Sequence, residues 1–275
     1  MDFLMIVDDP QIAQYVSQHG VTRLFVDLEY MGKNERQKNP KSWKSTQTPK
    51  DVTKIRAAAP EAHLLVRVNP LHDGSKAEID DVIARGADSV MLPMFHTVAD
   101  LSRFFDLING RVEAFPLVET HSALQAIPKM VEALPLTGLH IGLNDLHLDL
   151  GHIFMFQPLA EGLLDEPCMA LKEGNIRFGI GGLARACEGI VSPDFLLGEH
   201  VRLGSSASIL SQTFHRGSKT LAELRENMDF AVEIGKLNKI YDTFSKASAL
   251  ALEDNRKHLV NRINDVVQLI SKQER

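Results

Sequence analysis

Short apolar segments recur along the chain, and each is followed by a stretch whose apolar residues have the three- and four-residue spacing of a helix. Nearly continuous hydrophobicity over a few residues is typical of parallel strands that are covered on both faces. The eight apolar segments span residues 3–7, 23–29, 63–69, 89–95, 113–119, 138–145, 177–183 and 200–206. Eight strand–helix units predict an α/β fold of the (β/α)8 TIM barrel type. An open doubly wound sheet is the alternative, although no glycine-rich dinucleotide-binding motif follows an early strand.

Two parts of the chain depart from this repeat. Residues 30–50 form a long polar insertion that contains the only tryptophan, Trp43, and that suits either a lid or a solvated loop. After a barrel catalytic domain of residues 1–218, residues 219–275 form a helical extension. Its last helix carries an apolar stripe that either packs on the barrel or lies in the interface of a homo-oligomer. The stripe consists of Leu259, Ile263, Val266, Val267 and Ile270.

The composition is that of a soluble globular protein with a sizeable core, because 44% of the 275 residues are hydrophobic and 24% are charged. A formal net charge of −6 argues against nucleic-acid binding. No apolar window is long enough to span a membrane, and the apolar start of the chain is too short for a signal peptide. The two cysteines, Cys168 and Cys187, fit a reducing compartment, so we expect a cytoplasmic protein.

Polar side chains collect where the predicted strands end. Asp27 and Glu29 end the second strand, Arg67 lies near the end of the third, and Glu119 and Asp145 end the fifth and sixth. In a TIM barrel these ends form one rim, where barrel enzymes have their active sites. Carboxylates that lie close together repel one another and need a cation.

Glu119 and Asp145 are candidate metal ligands, because they end consecutive strands and neighbouring strands lie about 4.8 Å apart. Oxygen ligands without a Cys or His cluster suit Mg²⁺ or Mn²⁺. Arg67 would then offer a fixed guanidinium group to a substrate carboxylate or carbonyl oxygen. The alternative is structural: Glu119 caps the next helix, and Arg67 neutralises it.

Five motifs, in order within residues 20–210, resemble those of the HpcH/HpaI aldolase/citrate lyase family, whose members are metal-dependent enzymes with a (β/α)8 barrel. FVDLE is similar to the family's D-x-E signature, LVRVN to its arginine strand, and GADSVMLPMF to its fourth strand. PLVET resembles the metal-binding glutamate strand, and IGLNDLHLDLG resembles the metal-binding aspartate strand. The last two motifs are the most specific.

The resemblance implies a divalent-metal-dependent carbon–carbon lyase, an aldolase that cleaves or forms a bond next to a pyruvate-like 2-oxo acid. Glu119 and Asp145 would hold the metal, Mg²⁺ above all, and the keto acid would chelate it. Arg67 would contact the keto acid's oxygens, and backbone N–H groups near Asn144 and Asp145 would bind its carboxylate. The metal and Arg67 would stabilise the enolate that is left when the bond breaks. The second substrate would be an aldehyde, and the assembly a trimer or hexamer.

The catalytic residues implied by the resemblance also include Asp27 and Glu29, which would act through water on the metal. One departure concerns Tyr30, since the aldolase branch has a histidine and the citrate-lyase branch an aspartate at this place. A neutral tyrosine is a poor base at pH 7. His121 and His147, each two residues after a proposed metal ligand, are either proton-transfer groups or ordinary loop residues.

Two other functions stay open at this point. One is a citrate-lyase-β-like acyl-CoA lyase, which needs an adenine and pantetheine pocket that the sequence does not locate. The other, suggested by Tyr30, is a catalytically altered barrel that binds a 2-oxo acid without turnover. The glycines at residues 179–189 and 202–208, near the seventh and eighth strands, suit either phosphate binding or tight loop packing.

Overall fold

Eight parallel strands close into a barrel in the order of the chain, and β1 is hydrogen-bonded to both β2 and β8. The computed structural model describes residues 1–33 and 45–273. The strands are β1 Asp2–Ile6, β2 Arg23–Asp27, β3 His63–Arg67, β4 Ser89–Leu92, β5 Glu113–Val118, β6 Gly138–Ile141, β7 Arg177–Leu183 and β8 Ala207–Leu210. The prediction of a (β/α)8 TIM barrel with extra C-terminal helices is confirmed. Most of the predicted polar insertion, including Trp43, lies outside the described residues.

Helices connect the strands and cover the outside of the barrel. They are α1 Pro10–Ser17, α2 Pro49–Ala58, α3 Ser75–Ala84, α4 Val98–Ile108, α5 His121–Ala133, α6 Leu143–Asp149, α7 Gln157–Ala160, α8 Asp165–Glu173, α9 Pro193–Leu203, α10 Leu221–Asn227, α11 Phe230–Ser245 and α12 Ala249–Gln273. Apolar residues at helical spacing, such as Leu101, Phe104 and Ile108 of α4, are buried in the core. No helix among the described residues has the length and apolar character to cross a membrane.

The inside of the barrel is filled by side chains that alternate along the strands with those facing the helices. This inner cluster contains Leu4, Phe25, Leu65, Met91, Phe115 and Leu117. The register of β2 on β3 pairs Asp27 with Arg67 at the carboxyl ends of both strands. The packed interior leaves these polar strand ends at one mouth of the barrel.

The apolar stripe of α12 packs on the barrel of its own chain. Leu259, Ile263 and Val266 are buried, and α12 contacts α9 and α7. Val267 and Ile270 are partly buried against the same core. A stripe that is covered within one chain gives no support to oligomerisation, which stays a prediction, as does the domain boundary at residue 218.

The eighth strand differs from its predicted position. It was expected at residues 200–206, but these residues form the end of α9 and the following turn, and the strand comes after them. His200 and Leu203 are buried as strand residues would be, because one face of α9 packs into the core. Gly204, with φ 86°, ends the helix in the left-handed conformation that glycine favours.

Candidate active site

The carboxyl ends of the strands surround a cavity of about 350 Å³. Its polar wall includes Lys33, Arg67, Glu119, Asn144 and Asp145. Its apolar wall includes Leu117, Leu143, Met155 and Ile209. A cavity of this size takes a small molecule, and its combination of apolar walls and a few polar groups is typical of ligand-binding sites.

Asp27 and Arg67 form a bidentate ion pair beside this cavity. Nε and Nη2 of Arg67 donate to Oδ1 and Oδ2 of Asp27, each at 2.8 Å. Asp27 is fully buried, and its Oδ1 also accepts a hydrogen bond from the backbone N–H of Glu29 at 3.1 Å. The pairing fixes the plane of the guanidinium group and leaves Nη1 outside the pair.

Lys33 is the second cation of this cluster, and it was not predicted from the sequence. Its Nζ lies 2.8 Å from Oδ2 of Asp27 and 3.3 Å from Oε2 of Glu29, and its side chain is 5% exposed. Nε of Arg67 lies 3.4 Å from the same oxygen of Glu29. Among residues 1–33 and 45–273, two carboxylates and two cations therefore share one buried cluster, in which opposite charges lie side by side.

The two cations keep Asp27 ionised. Burial alone would raise the pKa of Asp27, but the charges and hydrogen bonds of Arg67 and Lys33 together lower that pKa to about 2. Burial would lower the pKa of Arg67, and the neighbouring Asp27 carboxylate, with smaller effects from Glu29 and Glu119, raises it above its usual value. Asp27 and Arg67 are thus a permanent ion pair at neutral pH, so they are suited to binding and positioning rather than to proton transfer.

Asn69, just beyond β3, holds the chain segment that follows β2. Its Oδ1 accepts hydrogen bonds from the backbone N–H groups of Tyr30 and Met31, both at 3.0 Å. Its Nδ2 donates to Oε1 of Glu78 at 2.7 Å, which fixes the amide. The side chain of Tyr30 is exposed to solvent (70%), whereas Lys33, three residues later, enters the barrel mouth. Tyr30 therefore does not face the cavity, and Lys33 does.

Asp145 lies on a helix, which corrects the prediction that the sixth strand extends to this residue. β6 ends at Ile141, Gly142 is the N-cap, and Asp145 is the third residue of α6. The segment is helical because Leu143 and Leu146, three residues apart, are both buried on one side of it. A carboxylate in the first turn is also favoured by the helix dipole.

Glu119 and Asp145 both line the cavity, and they are 3% and 7% exposed. Oε1 of Glu119 accepts a hydrogen bond from the N–H of Met94 at 3.2 Å. The N-cap of α6 is glycine, and a Cβ there would lie 3.0 Å from Oε2 of Glu119. The backbone N–H of His121 donates to Oδ2 of Asp149 at 2.7 Å. The Met94 contact thus holds Glu119 against the segment after β4, and the His121 contact joins the start of α5 to the end of α6.

The two carboxylates fit a hard divalent cation. Their oxygen atoms are the donors that Mg²⁺ and Mn²⁺ prefer, and the cavity that both residues line has room for water or substrate as further ligands. In residues 1–33 and 45–273 there is no group of three or more His, Cys, Asp or Glu side chains that could hold a metal ion. A site built from two carboxylates would leave most of the coordination to small molecules.

His140 of β6 also lines the cavity, and it was not predicted. Its Nε2 lies 2.9 Å from the carbonyl oxygen of Gly181, which can only accept, so Nε2 carries the proton. Nδ1 is then an acceptor, and it has no hydrogen-bond partner among the described residues. Burial lowers the pKa of His140 to about 4, so the ring is neutral at pH 7. The ring fits because residue 179 is glycine, where a Cβ would lie 2.4 Å from Nδ1.

Other polar residues near the rim do not reach the cavity. His121 borders a separate surface depression, and Nδ1 of His147 donates to the carbonyl of Leu143 at 3.2 Å. Neither histidine is among the described residues that line the cavity. Arg185, after β7, is buried and pairs with Glu188 at 3.2 Å, also away from the cavity.

A signal in the sequence pointed to one of the two missed residues. His140 is a polar residue inside an otherwise apolar strand, β6. It alternates with Gly138 and Gly142, which places its side chain on the face of the strand that lines the inside of the barrel. Lys33 had no such signal, because it lies in a polar segment with several other basic residues.

Comparisons with known proteins agree with this architecture. The sequence profile described as HpcH/HpaI aldolase/citrate lyase matches residues 8–154, more than half of the 275 residues. An HpcH/HpaI aldolase from Desulfitobacterium hafniense is similar in structure, with 14% identity, a TM-score of 0.58, and coverage of 90% of this chain and 93% of that chain. A citrate lyase beta subunit from M. tuberculosis, complexed with oxaloacetate and magnesium, has 15% identity, a TM-score of 0.57, and coverage of 82% and 95% respectively. No curated protein sequence matches the chain significantly.

Proposed function

The chain belongs to the HpcH/HpaI aldolase/citrate lyase family, and on this premise we propose that it is a divalent-metal-dependent aldolase acting next to the carbonyl group of a pyruvate-like 2-oxo acid. The observation that carries the proposal is a single small cavity lined by Glu119, Asp145 and Arg67. A 2-oxo acid presents a carboxylate and a carbonyl oxygen side by side. A cation and a guanidinium group are the partners that such oxygens need.

Glu119 and Asp145 would hold the metal, and their carboxylate oxygens favour Mg²⁺ or Mn²⁺. When bound, the ion supplies a Lewis acid that stabilises negative charge on the oxygen of an enolate. The citrate lyase beta subunit of M. tuberculosis, which was complexed with oxaloacetate and magnesium, supports this part of the proposal by analogy of fold.

Arg67 would orient the 2-oxo acid. Asp27 accepts from Nε and from one N–H of Nη2, so both N–H groups of Nη1 lie outside this pair and Nη1 would donate to a substrate oxygen. Asp27 and Glu29 act as positioning residues, because both are buried against the guanidinium group that they hold. A donor fixed in this way needs no reorganisation when charge develops on the enolate.

The first turn of α6 would bind the substrate carboxylate. Amide N–H groups in the first turn of a helix point out of its end and find no acceptor within the helix. Asn144 and Asp145 lie in this turn, at the edge of the cavity. Leu117, Leu143 and Ile209 line the same cavity and limit the water around the substrate, which strengthens the polar contacts.

Hydrogen–deuterium exchange at the methyl group of pyruvate tests the proposal, because exchange reports enolate formation without an aldehyde. We expect NMR in D2O to detect exchange with Mg²⁺ or Mn²⁺ and none after treatment with EDTA. Glu119→Gln and Asp145→Asn should each lower the rate by about 100-fold or more. Glu132→Gln, which removes an exposed carboxylate of α5, is the matched control and should not change it. Exchange that persists in Glu119→Gln after chelation would refute the proposal.

Binding of acetyl-CoA to the same protein distinguishes the proposed aldolase from the alternative, an acyl-CoA lyase. Calorimetric titration with acetyl-CoA should give no heat of binding if the substrate is a small 2-oxo acid. Tight binding of acetyl-CoA together with absent pyruvate exchange would favour the citrate-lyase-like function instead.

A further inference from the structure

Lys33 presents a hydrogen-bond donor to the cavity that its ion pairs do not use. An ammonium group has three N–H bonds. Within residues 1–33 and 45–273, Nζ has two acceptors, Oδ2 of Asp27 at 2.8 Å and Oε2 of Glu29 at 3.3 Å. The Lys33 side chain also lines the cavity. The third N–H is therefore available to a molecule that binds there.

This donor lies beside the proposed place of the 2-oxo acid. Asp27 stands between the two cations, because Arg67 reaches both of its oxygens and Lys33 reaches Oδ2. Arg67 lines the same cavity as Glu119 and Asp145, the proposed metal ligands. The ion pairs of Lys33 among the described residues are with Asp27 and Glu29. In an aldol reaction, the group next to the 2-oxo acid is the carbonyl group of the second reactant.

On the basis of the proposed aldolase function, we propose that Lys33 is a catalytic residue that binds the oxygen of the aldehyde and protonates it as the carbon–carbon bond forms. The methyl carbon of pyruvate first loses a proton to solvent. The resulting carbanion attacks the aldehyde carbon, and the π electrons of the aldehyde C=O group move onto its oxygen. This oxygen takes a proton from the Lys33 ammonium group and becomes a hydroxyl, and the amine regains a proton from solvent.

Cleavage is the reverse of this step. The hydroxyl group gives its proton to the Lys33 amine as the carbon–carbon bond breaks, and the electron pair of that bond stays on the pyruvate carbon. Asp27 and Glu29 stabilise the ammonium group between turnovers, because both carboxylates are buried with it. Exchange of the pyruvate methyl protons involves no aldehyde oxygen, so it does not need this donor.

Lys33→Met tests the assignment, because it removes the charge and the donor at nearly the same volume. Condensation of pyruvate with formaldehyde, acetaldehyde or glycolaldehyde should fall by about 100- to 1000-fold in kcat. Pyruvate exchange and the calorimetric affinity for pyruvate should persist. Lys33→Arg keeps the charge and should restore part of the condensation rate. Lys54→Met, which removes an exposed lysine paired with Asp51 at 2.7 Å, is the matched control and should change neither rate.

Four outcomes would contradict the proposed role of Lys33 as proton donor to the aldehyde oxygen. Equal losses of exchange and condensation in Lys33→Met, both restored by Lys33→Arg, would mean that the lysine only balances the charges of Asp27 and Glu29. Unchanged condensation in Lys33→Met would overturn the assignment directly. A wild-type protein that exchanges pyruvate protons but condenses with none of the three aldehydes would overturn it while leaving enolate formation intact. Absent exchange in the wild-type protein would refute the aldolase function itself.

Thermal unfolding by circular dichroism separates these outcomes from loss of the fold. If Lys33→Met does not fold, Lys33→Gln removes the charge and the transferable proton and keeps a polar amide next to Asp27 and Glu29. The same fall in condensation with persistent pyruvate exchange is then expected, and unchanged condensation would overturn the assignment.

Discussion

Removing the guanidinium group of Arg67 should destabilise the whole barrel as well as the site. In Arg67→Met, the fully buried carboxylate of Asp27 loses two hydrogen bonds of 2.8 Å and keeps those from Lys33 and from the N–H of Glu29. The lowering of the pKa of Asp27 from 3.8 to about 2 corresponds to roughly 2.4 kcal/mol in favour of its charged form. Breaking a buried ion pair from one side costs about 3–5 kcal/mol. Because Lys33 remains, we expect a loss near the lower end, about 3 kcal/mol.

A double-mutant cycle isolates this pair. Asp27→Asn removes the charge that Arg67 leaves behind, so the variant that combines both changes should lose less stability than the two single variants together. We expect a coupling free energy of about 2 kcal/mol, measured by urea unfolding at pH 7 and followed by circular dichroism. The control cycle uses the exposed pair Asp51 and Lys54, for which about 0–1 kcal/mol is expected. Additive losses at Asp27 and Arg67 would refute the buried bidentate pair.

Other variants test the packing beneath the site, the buried histidines and the C-terminal helix. Gly179→Ala, whose Cβ would lie 2.4 Å from His140 Nδ1, should cost roughly 1–3 kcal/mol in urea unfolding. Gly235→Ala, on α11 with nothing near the new Cβ, should raise the free energy of unfolding by up to about 1 kcal/mol. Equal changes in stability in the two glycine variants would contradict the close contact between Gly179 and His140. Burial lowers the pKa of His140 to about 4 and that of His200 to about 3, whereas histidine in an unfolded chain has a pKa of about 6.5. The unfolded chain therefore binds more protons, and stability is lost as the pH falls below about 6.5. Between pH 7 and pH 5 we expect about 2 kcal/mol of loss per histidine, and a constant urea midpoint would contradict it. Ile263→Ala should cost about 2–5 kcal/mol at every protein concentration, whereas a concentration-dependent loss would place α12 in an interface.

The barrel could be predicted from the sequence because strands covered on both faces must be apolar almost throughout. Seven of the eight expected segments contain or overlap an observed strand. The eighth, at residues 200–206, failed because the end of α9 presents buried residues as densely as a strand does. Hydrophobicity alone cannot separate the two, and the helix stop at Gly204 was the distinguishing feature.

The candidate site was predictable where the strand order decides which residues meet. Arg67 faces Asp27 because β3 follows β2 in register. Lys33 depends on a turn that Asn69 holds through two hydrogen bonds across 38 and 39 residues of chain, and no local spacing encodes such a contact. His140 depends on the neighbouring strand, since its ring occupies the space that a side chain at Gly179 would fill.

The charges of the candidate ligands suggest an order in which a cation and a 2-oxo acid would bind. A divalent ion held by Glu119 and Asp145 would bring two positive charges to the cavity that both carboxylates line. Because the ion would bind the native state, it would also stabilise the fold. Pyruvate is itself an anion, and the two carboxylates would repel it until the ion is bound, so its affinity should depend on the metal.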